Sequence, residues 1–306
     1  MKPLLINITG PTATGKTKLG VLLAKKLNTS IINADSRQIY KEMKIGTAVP
    51  TEEEKQGIPH YLFQHKSIQD LYTVKDFETE ALSVLENLFK QNPYAIAVGG
   101  TGLYFNALNY GLDEIPSVPP EIRREILKIY EQKGLAWLQE QVSRFDPLFY
   151  QTADIHNPRR LIRALEVIRY TGQPFSAFRK GERKKRPFMS IWFGLISERE
   201  LLYEKINRRV DRMMAEGLEE EARKLYPFKE LPALKTVGYR ELFEYFEGQT
   251  TREKAVEEIK KNTRRYAKRQ ITWFKKNKEI HWLNADKEPE TLVKEIVSMI
   301  KQHQVE

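Results

Sequence analysis

The sequence predicts an α/β protein: a parallel sheet flanked by helices, with a helical insertion. Three observations predict it. Short apolar runs alternate with helical stretches over the first hundred residues, and a glycine-rich loop joins the first run to the first helix. Near Pro116 the texture turns helical and charge-rich, and a strand-like run returns only at Ile191. Strands that alternate with helices make right-handed crossovers, which give parallel strands with helices on both faces.

Each element follows in order. Residues 4–9 (Leu-Leu-Ile-Asn-Ile-Thr) read as a short buried strand, and residues 16–27 as a helix with Leu19, Leu22, Leu23 and Leu27 on one side. Residues 30–34 form a second strand ending at Asp35. A helix over 74–90 precedes a strand at 94–98, which ends in Gly99-Gly100-Thr101-Gly102. Ile115-Pro116-Ser117-Val118-Pro119-Pro120 is a linker, and residues 191–196 return to the parent sheet. The expected organisation is a core of residues 1–115 and 189–306 around a helical insertion at 116–188. From Glu198 the chain reads as mostly helical, closing in a polar tail after Trp282. In such sheets ligands bind beyond the carboxyl ends of the strands, so the Gly10 loop, Asp35 and Thr101 are expected at one edge.

Composition narrows the function classes. The 306 residues are 41% hydrophobic and 30% charged, the balance of a soluble globular protein. No apolar run nears the roughly 18 residues of a membrane span, and the run from Met1 to Asn7 is too short for a secretory leader. The chain has no cysteine, which excludes disulfides, thiolate metal sites and a thiol nucleophile and fits a cytoplasmic location. A net charge of +10 favours a polyanionic partner, nucleic acid before membrane. A cytoplasmic monomer is expected.

Gly10-Pro11-Thr12-Ala13-Thr14-Gly15-Lys16-Thr17 matches G-x-x-x-x-G-K-[ST] between a strand and a helix, the context that gives the pattern its meaning. It marks the fold as a P-loop NTPase-like sheet. The glycines let backbone N–H groups turn around an anion at the positive end of a helix. Lys16 reaches the terminal phosphates, and the Thr17 hydroxyl can ligate Mg²⁺. The loop reads a diphosphate and is silent about what carries it. Asp35, opening Asp35-Ser36-Arg37-Gln38, is either a general base or a metal ligand through water, against the plainer reading of a helix cap. Arg37 and Gln38 can read the edge of an acceptor. Gly99 and Gly100 permit close backbone approach, and Thr101 offers a hydroxyl.

Two segments concentrate the basic charge. Residues 157–190 hold ten Arg or Lys against Glu166 and Glu182, opening with Asn157 as cap and Pro158 as first helical residue. Residues 259–276 hold eight basic residues and no acid, with Arg265, Arg269 and Lys276 on one face and Tyr266, Gln270 and Trp273 on another. Charge on one helix is usually a solvated face. Two such segments with interleaved aromatics favour a phosphate backbone, and RNA over duplex DNA, since no DNA-reading motif is present. The five histidines (60, 65, 156, 281, 303) show no metal-ligand spacing. A small-molecule P-loop kinase and a non-enzymatic RNA-binding protein are the rival readings.

Taken together, the ordered motifs resemble one family. The phosphate loop, Asp35-Ser36-Arg37-Gln38-Ile39-Tyr40, Gly99-Gly100-Thr101-Gly102-Leu103-Tyr104, Asn157-Pro158-Arg159-Arg160-Leu161-Ile162-Arg163, Val237-Gly238-Tyr239-Arg240-Glu241 and Thr263-Arg264-Arg265-Tyr266-Ala267-Lys268-Arg269-Gln270 resemble those of bacterial tRNA dimethylallyltransferases over about residues 4–274. The resemblance implies transfer of a dimethylallyl group from dimethylallyl diphosphate to N6 of adenosine 37 of tRNA. It implies Asp35 as base, Lys16, the loop and Mg²⁺ at Thr17 on the leaving diphosphate, and Thr101 holding the adenine or the bridging oxygen. By the same match Asp35, Ser36, Arg37, Gln38, Thr101, Arg123, Arg159, Arg160, Leu161, Ile162 and Arg163 contact tRNA, Arg223 lies at the reaction centre, and the insertion grips the anticodon stem-loop.

Overall fold

Strand β1 (Leu4–Thr9) is buried at all six positions, which explains its unbroken apolar character: a central parallel strand is covered on both faces. The computed structural model describes residues 2–303; Met1, and residues 304–306 of the polar tail, lie outside the described residues. After β1 come α1 (Lys16–Leu27), β2 (Ile31–Asn33), α2 (Glu52–Lys55), β3 (His60–Tyr61), α3 (Val74–Phe89), β4 (Tyr94–Val98) and α4 (Gly102–Tyr110). They are followed by α5 (Pro120–Phe145), α6 (Pro147–Thr152), α7 (Pro158–Thr171), β5 (Met189–Ile196), α8 (Arg199–Ala215) and α9 (Leu218–Leu225). The chain ends with α10 (Tyr239–Phe246), α11 (Arg252–Phe274), β6 (Ile280–Asn284) and α12 (Pro289–His303). The strand order is β3-β2-β4-β1-β5-β6 with every pairing parallel.

The chain divides into two units, residues 110–185 and the remainder. The division falls a few residues from the expected 116 and 188 because the linkers pair with each other: Lys184 N donates to the Tyr110 carbonyl at 2.8 Å, and Gly181 N to Asp113 Oδ1 at 2.9 Å.

In the sheet unit, Leu4, Ile6 and Ile8 of β1 pack with Leu19 and Leu23 of α1 and with Leu292, Ile296 and Ile300 of α12. The segment expected to be a polar tail after Trp282 is structured instead: β6 adds a sixth strand, and α12 packs on the core. Arg186, counted among the basic cluster, is 10% exposed and ion-paired with buried Glu78 at 2.7 Å. It serves the core.

The unit of residues 110–185 is helical. α5 breaks at Gly134, whose φ of 70° is the left-handed conformation that glycine adopts readily. Asn157 and Pro158 do start α7, although Asn157 makes no side-chain capping bond. Leu161 and Ile162 are 0% and 4% exposed, packed with Ile126, Leu138 and Phe149. Their side chains belong to this core, which leaves only their backbone to meet RNA. The helical period turns Arg159 and Arg160 outward instead. Glu166 is buried and binds Arg123 at 2.5 Å through one oxygen and Arg163 at 3.1 Å through the other. Both guanidiniums are thus held in place on one carboxylate.

Candidate active site

The phosphate loop leaves β1 at Gly10, with φ 137°, and enters α1 at Gly15, with φ 79°. A Cβ on Gly10 would lie 2.5 Å from the Leu195 carbonyl of β5, so the loop can pass there only as glycine. The Thr14 hydroxyl donates to the Pro11 carbonyl at 2.8 Å and fixes the loop from within. Lys16 Nζ donates to the same carbonyl at 2.6 Å. Burial and the positive charge of Arg209 lower its pKa to about 7, with Asp35 opposing them.

Asp35 follows β2 and opens no helix. Its Oδ1 accepts the Arg37 N–H at 2.9 Å in a local turn, and its own N–H donates to Asn33 Oδ1 at 2.8 Å. Its other oxygen faces the Gly100 backbone: a Cβ on Gly100 would lie 3.3 Å from Asp35 Oδ2. Thr101 joins the same knot. Its Oγ1 accepts the Ser36 N–H at 3.0 Å and donates to Ser36 Oγ at 3.2 Å, while its N–H donates to the Ala34 carbonyl at 3.1 Å. The Gly10 loop, Asp35 and Thr101 therefore meet at the carboxyl ends of β1, β2 and β4, as in other open α/β sheets.

Arg37 and Gln38 brace this edge. Arg37 donates to the carbonyls of Pro232 and Ala233, and Gln38 Nε2 to those of Thr47 and Ala48 at 3.0 and 2.9 Å. Tyr104 and Tyr266 stand near Asp35. Burial first, then neighbouring charge, pushes both hydroxyls well up and keeps them neutral donors.

Sequence reasoning missed Arg209. Burial lowers its pKa and Arg212 adds to that, while Asp35 draws it the other way, as it does Lys16. A signal was available: Leu202 and Ile206 are buried at i and i+4 of α8, and Arg209 takes i+7 of that stripe. An arginine on an apolar face needs an anionic partner. Arg223, expected at the reaction centre, makes its contacts within α9 and to α10. It pairs with Glu219 at 3.2 Å and lies over the Phe246 ring at 4.2 Å. Two residues before it, Glu221 accepts the N–H groups of Lys44, Ile45 and Gly46 and the Tyr239 hydroxyl, so α9 is a brace. A cavity of about 540 Å³ beside α9 is lined by Glu42, Glu216, Glu220 and Glu221 against Lys224 alone, a negative balance that repels a diphosphate.

Among the described residues no three His, Asp or Glu side chains gather as a metal site. Thr17, the second residue of α1, offers one hard oxygen at the phosphate loop. That suffices for an ion carried mainly by phosphate oxygens and water, the usual mode for Mg²⁺.

Comparison with known proteins bears on what this edge does. Residues 38–277 match the family model described as IPP transferase. The tRNA dimethylallyltransferase of Christiangramia forsetii is 52% identical over 300 residues, spanning 98% of this chain and 99% of that protein. The chain belongs to the IPP transferase family. tRNA dimethylallyltransferase 1 of Bacteroides fragilis is 44% identical over 288 residues, covering 94% and 96% of the two chains. Among solved structures, a tRNA isopentenylpyrophosphate transferase of Bacillus halodurans superposes with a TM-score of 0.72 at 38% identity, covering 98% and 96%. A eukaryotic dimethylallyltransferase acting on tRNA reaches 0.79 at 28% identity, covering 92% of this chain and 74% of that one. As an IPP transferase the chain is an enzyme, and the kinase and binding-only readings fall. The family's P-loop NTPase-like fold is the one expected from the sequence.

Proposed function

We propose that the chain transfers the dimethylallyl group of dimethylallyl diphosphate to N6 of adenosine 37 of tRNA and releases diphosphate. The observation that carries this reading is the convergence of two half-buried cations, Lys16 and Arg209, with one carboxylate, Asp35, beside the phosphate loop at the strand ends. The cations suit a diphosphate leaving group, and the carboxylate suits a proton acceptor. As the adenine N6 attacks C1, the C1–O bond breaks and the electron pair leaves on the diphosphate. Asp35 takes the N6 proton, and Thr101 orients the adenine or the bridging oxygen. Mg²⁺ ligated by Thr17 would neutralise part of the diphosphate charge. The adenine must leave its stack to reach this edge.

The acceptor is read as RNA through exposed Arg159 and Arg160 and the Glu166-held Arg123 and Arg163 of the helical unit. In the second basic segment Lys260 pairs with Asp211, and Lys261 with Glu258, which leaves the contacts to residues such as Arg265, Lys268 and Arg269. No described helix is long and apolar enough to cross a membrane. A cytoplasmic monomer fits this reading.

Ionic strength tests the acceptor. Phosphate contacts release counterions, so kcat/KM for tRNA should fall about tenfold or more between roughly 50 and 200 mM salt. The donor's KM should move far less. A kcat/KM for tRNA that ignores salt would contradict recognition through the phosphate backbone, and a free adenine nucleotide would then be tried as the acceptor.

A further inference from the structure

Gln270 of α11 is 5% exposed, and both ends of its amide are committed. Its Oε1 accepts the Thr12 N–H of the phosphate loop at 3.0 Å, and its Nε2 donates to the Gly100 carbonyl at 3.0 Å. One side chain, 258 and 170 residues away in sequence, spans the two loops that carry the site. The glycines beside Thr101 fit this arrangement. A Cβ on Gly100 would lie 2.2 Å from Gln270 Nε2, and a Cβ on Gly102 would lie 1.9 Å from Trp273 Nε1, one turn further along α11. A Cβ on Gly99 would strike the Ala34 backbone at 2.2 Å. Each glycine makes room for a different neighbour, and two of those neighbours are on α11.

We propose that Gln270 is a positioning residue for the transfer, fixing the separation between the phosphate loop and the Asp35–Thr101 loop. The proposal rests on the prenyl-transfer reading. Donor C1 is held from the phosphate-loop side and the attacking N6 from the Asp35–Thr101 side. The distance between the loops therefore sets the approach of the reacting atoms, where a displacement of about 1 Å can cost about a hundredfold in rate. Neither loop's own hydrogen bonds need change when Gln270 is altered. Donor binding should survive and turnover should not.

The test compares wild type, Gln270→Ala, Gln270→Glu, Gly100→Ala and the double variant Gly100→Ala/Gln270→Ala, by thermal melting and by transfer kinetics with dimethylallyl diphosphate and tRNA. Gln270→Glu keeps the shape and the bond from Thr12 but cannot donate to Gly100. Both Gln270 variants should lose about 30- to 100-fold in kcat, with donor KM changed less than about threefold. Gly100→Ala pushes the amide aside and should lose a similar factor. The double variant, relieved of the clash with the amide, should lose less than the product of the two single losses, since changes acting through one contact are not additive. Folded Gln270 variants with kcat within about twofold of wild type would overturn the proposal, as would losses that multiply in the double variant. A wild-type protein that transfers nothing would instead overturn the functional reading on which it rests.

Discussion

Lys16→Met is expected to lower transfer by about a hundred- to a thousandfold, the loss usual when a preorganised stabiliser of developing charge is removed. Lys16 enters the site from the first residue of α1, half-buried and within reach of the charge of Arg209. Two cations held close together repel each other, and a diphosphate relieves that repulsion as it binds. The same geometry gives a pH signature. With its pKa lowered to about 7, Lys16 is an ammonium below that pH and a neutral amine above it. Since kcat/KM reports the free enzyme, its value for the donor should fall as pH rises through about 7, while kcat holds to higher pH because bound diphosphate raises the lysine again. Stability should move the other way. The folded state disfavours the charged lysine, so its penalty is full below pH 7 and fades as pH rises towards the lysine's ordinary range. Lys16→Met should therefore melt no lower than wild type at pH 6. A variant that loses activity only because it unfolds would contradict this account.

Asp35→Asn is expected to lose about 10²- to 10⁴-fold in kcat, the range for a general base, with tRNA affinity near that of wild type. The asparagine can still accept the Arg37 N–H and keep the turn, so geometry persists while the proton acceptor is gone. The assay belongs near pH 6, because Asp35 also raises the Lys16 pKa, and its removal would lower that pKa further. Measured there, the two effects separate. Near-normal turnover would remove Asp35 as the base, and weakened tRNA binding would make its role one of recognition.

Much of this site could be read from the sequence because its parts are local. A buried parallel strand, a glycine-rich turn and a helix follow one another within residues 4–27, and each has its own signature. What escaped was distributed. β3 has two residues, too few for any period, and β6 (Ile-His-Trp-Leu-Asn) breaks the alternation of a strand in a charged surround. In α12, Leu292, Val293, Ile296 and Ile300 keep a helical spacing that acidic and basic neighbours disguise as a tail. Arg209 and Gln270 matter through partners more than a hundred residues away. Arg223 and Arg209 cannot be told apart by composition; only the fold decides which one faces Asp35. Leu161 and Ile162 show the converse, residues inside a recognised motif whose part is packing.

The most direct test of the central claim is product analysis. Purified protein is incubated with Mg²⁺, dimethylallyl diphosphate and unmodified tRNA, and the digested nucleosides are examined by mass spectrometry. The account predicts N6-dimethylallyl adenosine that requires both substrates and maps to the residue beside the anticodon. Absence of that nucleoside, with a phosphate donor consumed against some small acceptor instead, would contradict it.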